Sequence, residues 1–214
     1  MARLNLSVKK LKPINLTDEI INICKIISNT GVKSYIVGGF IRDSLLGIKT
    51  LDLDLAILGN TLEIGSLLAQ KTNGKCITLD KKRGIYRVIS GCDYSKIQID
   101  IAAAPLGIEK DLANRDFTIN SIAIDISNFN IVPKNRIELK ELLDPHNGIK
   151  SLEIGELRAT SHTALRDDPI RLIRAIRVSA QLDLNIPSEL QNEISTQANL
   201  LSLIAGGRIR AEFF

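Results

Sequence analysis

Asp52 and Asp54 stand two residues apart in the segment 35–58, YIVGGFIRDSLLGIKTLDLDLAIL. Leu51, Leu53, Leu55 and Ile57 alternate there with Asp52, Asp54 and Ala56, which is the period of a strand. The two carboxylates therefore share one face. Adjacent like charges are unfavourable unless a cation compensates them. Mg2+ suits such a pair, because it takes oxygen ligands and shares them with substrate phosphates.

Gly38 and Gly39 follow the apolar run Tyr35-Ile36-Val37, and residues 40–46 then read as about two helical turns. Glycine permits a sharp bend and a close approach to a ligand. The helix start points unpaired N–H groups and a partial positive charge at the turn, which suits an anion. Arg42 and Asp43 fall in its first turn. A phosphate-binding helix start beside a two-carboxylate strand describes a two-metal nucleotidyl-transfer site. The plainer alternative is a Gly turn before a strand with two solvated aspartates.

Other residues extend this chemistry. Asp100 lies on the polar face of a second strand, with Gln98 and Ala102, opposite Ile97, Ile99 and Ile101. It could complete the metal site as a third catalytic carboxylate, or be an exposed strand aspartate. Arg115 could meet phosphate or ribose, and Asp116 could accept from a ribose hydroxyl; a helix-end salt bridge is the alternative. Asn120 belongs to the same segment. Asp168 and Arg171 are spaced i, i+3, so on one helix they project from one face. A carboxylate accepts hydrogen bonds and a guanidinium only donates, so the pair can read a base edge. Arg174 and Arg177 continue the series. An intrahelical ion pair on a solvated face is the alternative. His146 and His162 have no nucleophile or metal-spaced partner and are read as structural or surface residues.

The elements that must position these groups follow from periodicity and punctuation. Thr17 is expected to cap a helix with the face Ile20, Ile21, Ile23, Cys24, Ile26 and Ile27, ended by Gly31. Strands are expected at 34–37 and 51–58, a helix at 62–71, and strands at 76–79, 84–89, 96–102 and 122–126. Pro105 and Gly107 precede a helix starting near Glu109. From Asp144 on the pattern is helical. One long helix is expected to have Pro169 in its first turn and the face Ile170, Ile173, Ala175 and Ile176. A second helix is expected at 187–197 and a third from near Leu201. The fold class is α+β: a small mixed sheet with flanking helices in residues 1–145, then an all-helical module in 146–214.

Composition bounds the reading. The chain has 214 residues, 44% hydrophobic and 24% charged, which is globular. No apolar run approaches the ~18 residues of a membrane span, so no membrane partner is expected. The basic start MARLNLSVKKLKP lacks a signal peptide's apolar core. Cys24, Cys76 and Cys92 have no metal-ligand spacing and read as reduced cysteines of a cytoplasmic protein. A net charge of +4 mildly favours a polyanionic partner. With 4% aromatics and no Trp, phosphate contacts would have to dominate over base stacking.

GGFIRDSLLG followed by DLDLAI resembles the head signature of the bacterial-type (class II) tRNA nucleotidyltransferases and the related bacterial poly(A) polymerases. RDFTINSIAI at 115–124 resembles the motif whose Arg and Asp hold the nucleotide ribose. LLDPHNG at 142–148 resembles the Asp-Pro-x-x-Gly hinge that ends the head. RDDPIRLIRAIRVSAQL at 166–182 resembles the Glu-Asp-x-x-Arg neck helix, and GGRIRAEFF at 206–214 the last neck motif. The resemblance covers roughly residues 30–214. It implies a polymerase-β-like head with a helical neck, and a template-independent, two-metal transfer from CTP and ATP to a tRNA 3′ end. It also implies that Asp168 and Arg171 select CTP and ATP over GTP and UTP. It supports Asp100 as the acidic residue of the neighbouring strand.

The sequence departs from the family at several places. Asp167 stands for the neck motif's opening Glu, and Gly207 for a Glu of the last motif, while Arg208 and Glu212 are kept. The stretch 102–111 is short where many members have a longer loop, and enzymes adding only C residues often shorten that loop. The apolar residues Phe213 and Phe214 at the end lead us to expect that the native polypeptide continues. The head and neck alone are then expected to bind nucleotide but to hold tRNA weakly. A CC-adding enzyme or a poly(A) polymerase is the alternative activity. A catalytically weak RNA-binding remnant is the alternative of another class.

Overall fold

The computed structural model describes residues 9–91, 97–129 and 134–213. Cys92, Lys96 and Phe214 lie outside the described residues. The elements in chain order are β1 (Ile14–Asn15), α1 (Asp18–Ser28), β2 (Ser34–Val37), α2 (Gly39–Leu46), β3 (Asp52–Ile57) and α3 (Thr61–Lys71). They continue with β4 (Lys75–Asp80), β5 (Ile85–Ile89), β6 (Gln98–Ala103), α4 (Ile108–Ala113), β7 (Ala123–Asp125) and β8 (Arg136–Ile137). Helices complete the chain: α5 (Gly148–Ile154), α6 (Ala164–Asp167), α7 (Ile170–Leu182), α8 (Ser188–Gln197) and α9 (Gly206–Ala211).

Six strands form one mixed sheet in the order β4-β5-β6-β3-β2-β7. β3 and β6 run parallel, and every other neighbouring pair is antiparallel. The alternation in β3 sets its two faces. Leu53, Leu55 and Ile57 are buried in the main core with Ile20, Ile23 and Ile27 of α1 and Ile64 and Leu68 of α3. Full burial of each such side chain contributes about 1.5–3 kcal/mol. Ala56 is buried on the opposite face with Tyr35, Val37 and Leu112. Asp52 and Asp54 stand further along that opposite face, where no apolar layer covers the sheet. Leu51, 55% exposed, precedes the strand and does not join its apolar row.

Capping explains the helix starts. Thr17 Oγ1 accepts from Ile20 N at the head of α1, and Asn60 Oδ1 accepts from Glu63 N at the head of α3. Asp144 accepts from the amides of Gly148 and Ile149 at the start of α5. The main core runs from Ile14 to Leu190 without a break at residue 145, because Leu152, Leu165, Leu172 and Val178 bury into it.

Two helical expectations are corrected. The segment 166–182 is not one helix. Asp168 is extended (φ −145°, ψ 97°) between α6 and α7, because a residue before proline is pushed out of the helical region. Pro169 then stands at the start of α7. Ile176 is 58% exposed; the buried face of α7 is Ile170, Leu172, Ile173, Ala175 and Val178. The third helix expected from Leu201 is instead a 3-10 segment, Ala198–Leu203, followed by the short α9.

Candidate active site

A cleft of about 740 Å3 opens where the polar face of the sheet meets α2, α7 and α9. It is lined by Asp52 and Asp54 of β3, Asp100 of β6, and Gly38, Gly39 and Arg42 at the start of α2. Arg115, Asp116 and Asn120 line it from the loop after α4, and Asp168, Arg171, Arg174 and Arg177 from the helical side. Residues more than 120 positions apart in sequence thus share one cavity.

The sheet register explains the carboxylate group. Asp54 pairs with Val37 of β2 on one side and with Asp100 of β6 on the other. Burial pushes the Asp54 carboxyl above its usual value. The nearby Arg115 guanidinium and a hydrogen bond from Gly39 N–H oppose that shift, and the charges of Asp100 and Asp52 add to it. A nearby cation would favour the charged form of a carboxylate so buried. The Asp54 oxygens, with those of Asp52, are the hard donors a divalent ion such as Mg2+ takes. Among the described residues no three His, Cys, Asp or Glu side chains gather around one point.

Asp100 lines the cleft beside Asp54, and an arginine holds it there. Arg87 of β5 donates to both its oxygens, Nε to Oδ1 at 2.7 Å and Nη2 to Oδ2 at 2.7 Å. The glycine turn differs in detail from the expectation. Gly38 N–H donates to Ile122 O at 3.3 Å, so this amide already serves a protein acceptor. Gly38 has φ +73°, and a Cβ there would lie 3.0 Å from Arg115 Nη1 and 3.1 Å from Asp54 Oδ2. Gly38→Ala is expected to cost about 1–2 kcal/mol from the left-handed backbone alone and to displace Arg115 from Asp54. A urea melt alongside a nucleotide titration checks both effects.

A chain of polar contacts ties α2 to α9. Arg42 donates to both Asp43 oxygens at 2.8 and 3.0 Å, and to Asn120 Oδ1 at 2.7 Å. Asn120 Nδ2 and Phe117 N donate to Asp116 Oδ1 at 3.0 and 2.7 Å. Asp116 is buried, and Arg174 Nη2 sits 2.9 Å from its Oδ2 without the alignment of a hydrogen bond. Arg174 and Arg177 both face Glu212, at 3.9 and 2.9 Å. Arg115 is aimed by Asp111, which accepts from its Nε and Nη2 at 3.1 and 2.9 Å.

Asp168 and Arg171 reach the cleft but do not face each other. Asp168 pairs with Arg208 of α9 at 2.8 Å. Arg171 donates to the carbonyls of Asn114, Ala164 and Arg115 at 2.6, 3.1 and 3.4 Å. Arg87 and Asn114 are cleft residues that the motifs did not single out. Tyr86 and Val88 are the buried positions of β5, and Arg87 shares the other face with Ile85 and Ile89, so residue type alone did not mark that face as polar. His162 is exposed and His146 half-buried, and neither lines the cleft. Cys24 and Cys76 are free thiols, and burial pushes Cys24 up to about 12, far from reactivity at neutral pH. Among the described residues no helix is long and apolar enough to cross a membrane.

Residues 34–158 match the family described as the Poly A polymerase head domain. A CC-adding tRNA nucleotidyltransferase of Synechocystis sp. is 33% identical over 181 residues, covering 83% of this chain and 40% of the relative. Among solved structures, a Thermotoga maritima CCA-adding enzyme complexed with tRNA superposes with a TM-score of 0.77 at 29% identity. That match covers 94% of this chain and 49% of the other. A CCA-adding enzyme in complex with CTP gives a TM-score of 0.75 at 31% identity, covering 92% and 46%. The chain spans half or less of the length of these proteins.

Proposed function

Since the chain belongs to the poly(A) polymerase head-domain family, we propose that it carries the head and neck of a template-independent tRNA nucleotidyltransferase, adding C and A to a tRNA 3′ end from CTP and ATP. The observation that carries this reading is the single cleft joining the Asp52/Asp54 face to the Gly38–Arg42 turn and to the arginines of α7. We divide the chain into head, 1–145, and neck, 146–214, by function, although one core serves both. The reduced cysteines fit work in the cytoplasm.

Asp52 and Asp54 would hold Mg2+ together with triphosphate oxygens. Two such ions, when bound, would lower the pKa of the attacking RNA 3′-hydroxyl and steady the leaving pyrophosphate, one ion for each. Arg42 keeps donors for phosphate, since only three of the guanidinium's five N–H groups are engaged. Arg115, aimed by Asp111 toward Gly38, stands beside the same position. These fixed charges meet the negative charge that develops on the phosphate. Asp116, held by Phe117 N–H and Asn120, has its buried second oxygen against Arg174, so accepting from a ribose hydroxyl would require that oxygen to turn away from Arg174. Asp168 and Arg171 stand on the base side with Arg174 and Arg177.

Base selection then depends on Asp168, which a nucleotide must take from Arg208 or share with it. Asp168→Ala is expected to narrow the preference for CTP and ATP over UTP and GTP by about 1–3 kcal/mol, the worth of a bidentate base contact. Competition between paired NTPs measures this. A uniform loss of rate with unchanged preference would remove Asp168 from the selection.

A second reading is CC addition alone. It is favoured by the short connection after β6, where residues 104–107 suffice to reach α4. Incubating the 214-residue chain with tRNA lacking its 3′ end, each NTP and Mg2+ separates the readings by product. Added C, C and A supports the first, and added C alone the second. A tract of A would indicate a poly(A) polymerase, and no transfer either a binding remnant or a need for the segments that the longer relatives carry.

A further inference from the structure

Arg87 ends a row of groups that crosses the sheet on its polar face. The register places Asp54 beside Asp100 and Asp100 beside Arg87. With neighbouring strands about 4.8 Å apart, the Arg87 backbone lies roughly 10 Å from that of Asp54. The start of α2 follows β2, the strand on the other side of β3 from β6. Arg87 and Asp100 are both partly exposed to the cleft, with side-chain exposures of 33% and 28%. The charges of Asp52 and Asp54 also reach the Arg87 guanidinium. Two of its five donors bond Asp100, so three remain.

We propose that Arg87, held in place by Asp100, binds the backbone phosphate at the 3′ end of the acceptor RNA. The inference rests on the nucleotidyl-transfer reading and adds a residue to it. Transfer is in line, so the attacking hydroxyl and the leaving pyrophosphate lie on opposite sides of the reacting phosphorus. The triphosphate belongs with Gly39, Arg42 and Arg115 on the β2 side, and the base with α7. The side of the carboxylate pair that remains for the acceptor strand is that of β6 and β5. A negatively charged strand arriving there meets three carboxylates, and Arg87 is the cation beside them on β5. Asp100 then acts as a positioning residue: its two bonds fix the guanidinium plane, which suits a phosphate better than a point charge would.

The test uses the 214-residue chain and an RNA minihelix labelled at its 5′ end, with either a natural or an uncharged methylphosphonate linkage before its last nucleotide. Arg87→Ala is expected to weaken binding of the natural RNA about tenfold. The salt slope of binding should fall by about one, and CTP affinity measured separately with Mg2+ should stay at the wild-type value. Arg87→Lys should recover part of the affinity. The methylphosphonate RNA should bind wild type about as weakly as the natural RNA binds Arg87→Ala, and binding to the variant should not weaken further. Additive losses, unchanged RNA binding, or a loss confined to CTP would overturn the assignment. CTP binding by wild type with no Arg87 effect on RNA would sink this inference alone. Wild type that neither binds CTP nor transfers it would sink the nucleotidyl-transfer reading first, and this one with it.

Discussion

If the chain transfers nucleotides as proposed, Asp54→Asn is expected to abolish transfer, by at least about a thousandfold, and to leave the fold as stable as wild type or more so. The loss corresponds to the several kcal/mol of charge stabilisation that a metal ion contributes in such a site. The stability gain comes from the same carboxylate. Burial and the charges of Asp100 and Asp52 raise its pKa in the folded chain, so folding favours the protonated form. The folded state is therefore penalised once pH exceeds the unfolded value, and the penalty is complete above the raised folded value. The melting-temperature difference between Asp54→Asn and wild type should accordingly grow as pH rises through that window and vanish below it. Thermal melts across pH in EDTA, paired with transfer assays in Mg2+, measure both halves. Normal turnover by the variant would remove Asp54 from the metal site. Asp52→Asn should lose transfer likewise.

Gly148→Ala is expected to disturb the fold strongly beside the cleft. A Cβ on Gly148 would lie 2.1 Å from the carbonyl oxygen of Thr118 and 2.8 Å from its carbon. Both atoms are backbone, so no side chain can rotate away. Thr118 opens the 3-10 turn Thr118–Asn120, and Asn120 at its end bonds both Asp116 and Arg42. The added methyl must therefore push α5 off that turn or shift the turn within the cleft. The expected cost is about 3 kcal/mol, the upper range for overpacking a tight core. Urea unfolding should show a lower midpoint, and CTP affinity should fall with it. A stability change below about 0.5 kcal/mol would mean that α5 does not pack on the turn this closely. Gly→Ala at Gly206, where nothing lies within 4 Å, serves as the control.

The local order of the head was legible in the sequence because each signal there is a short-range one. Alternation in β3 placed Asp52 and Asp54 on one face whatever the strand's neighbours. The Gly-Gly break and the Thr17 cap are likewise decided within a few residues. The ordered motifs carried the family. Partner choice among charged side chains was not legible in the same way. Arg87 pairs with Asp100 because β5 lies antiparallel beside β6, and no spacing within either segment states that register. Asp168 looked like the helical partner of Arg171, yet Pro169 forces it to be extended and α9 brings Arg208 to it from 40 residues away. Charges act through space, over whatever distances the packed sheet and helices leave between them. Sequence by itself determined which residues could do the chemistry, and the tertiary structure decided which of them are already engaged with one another.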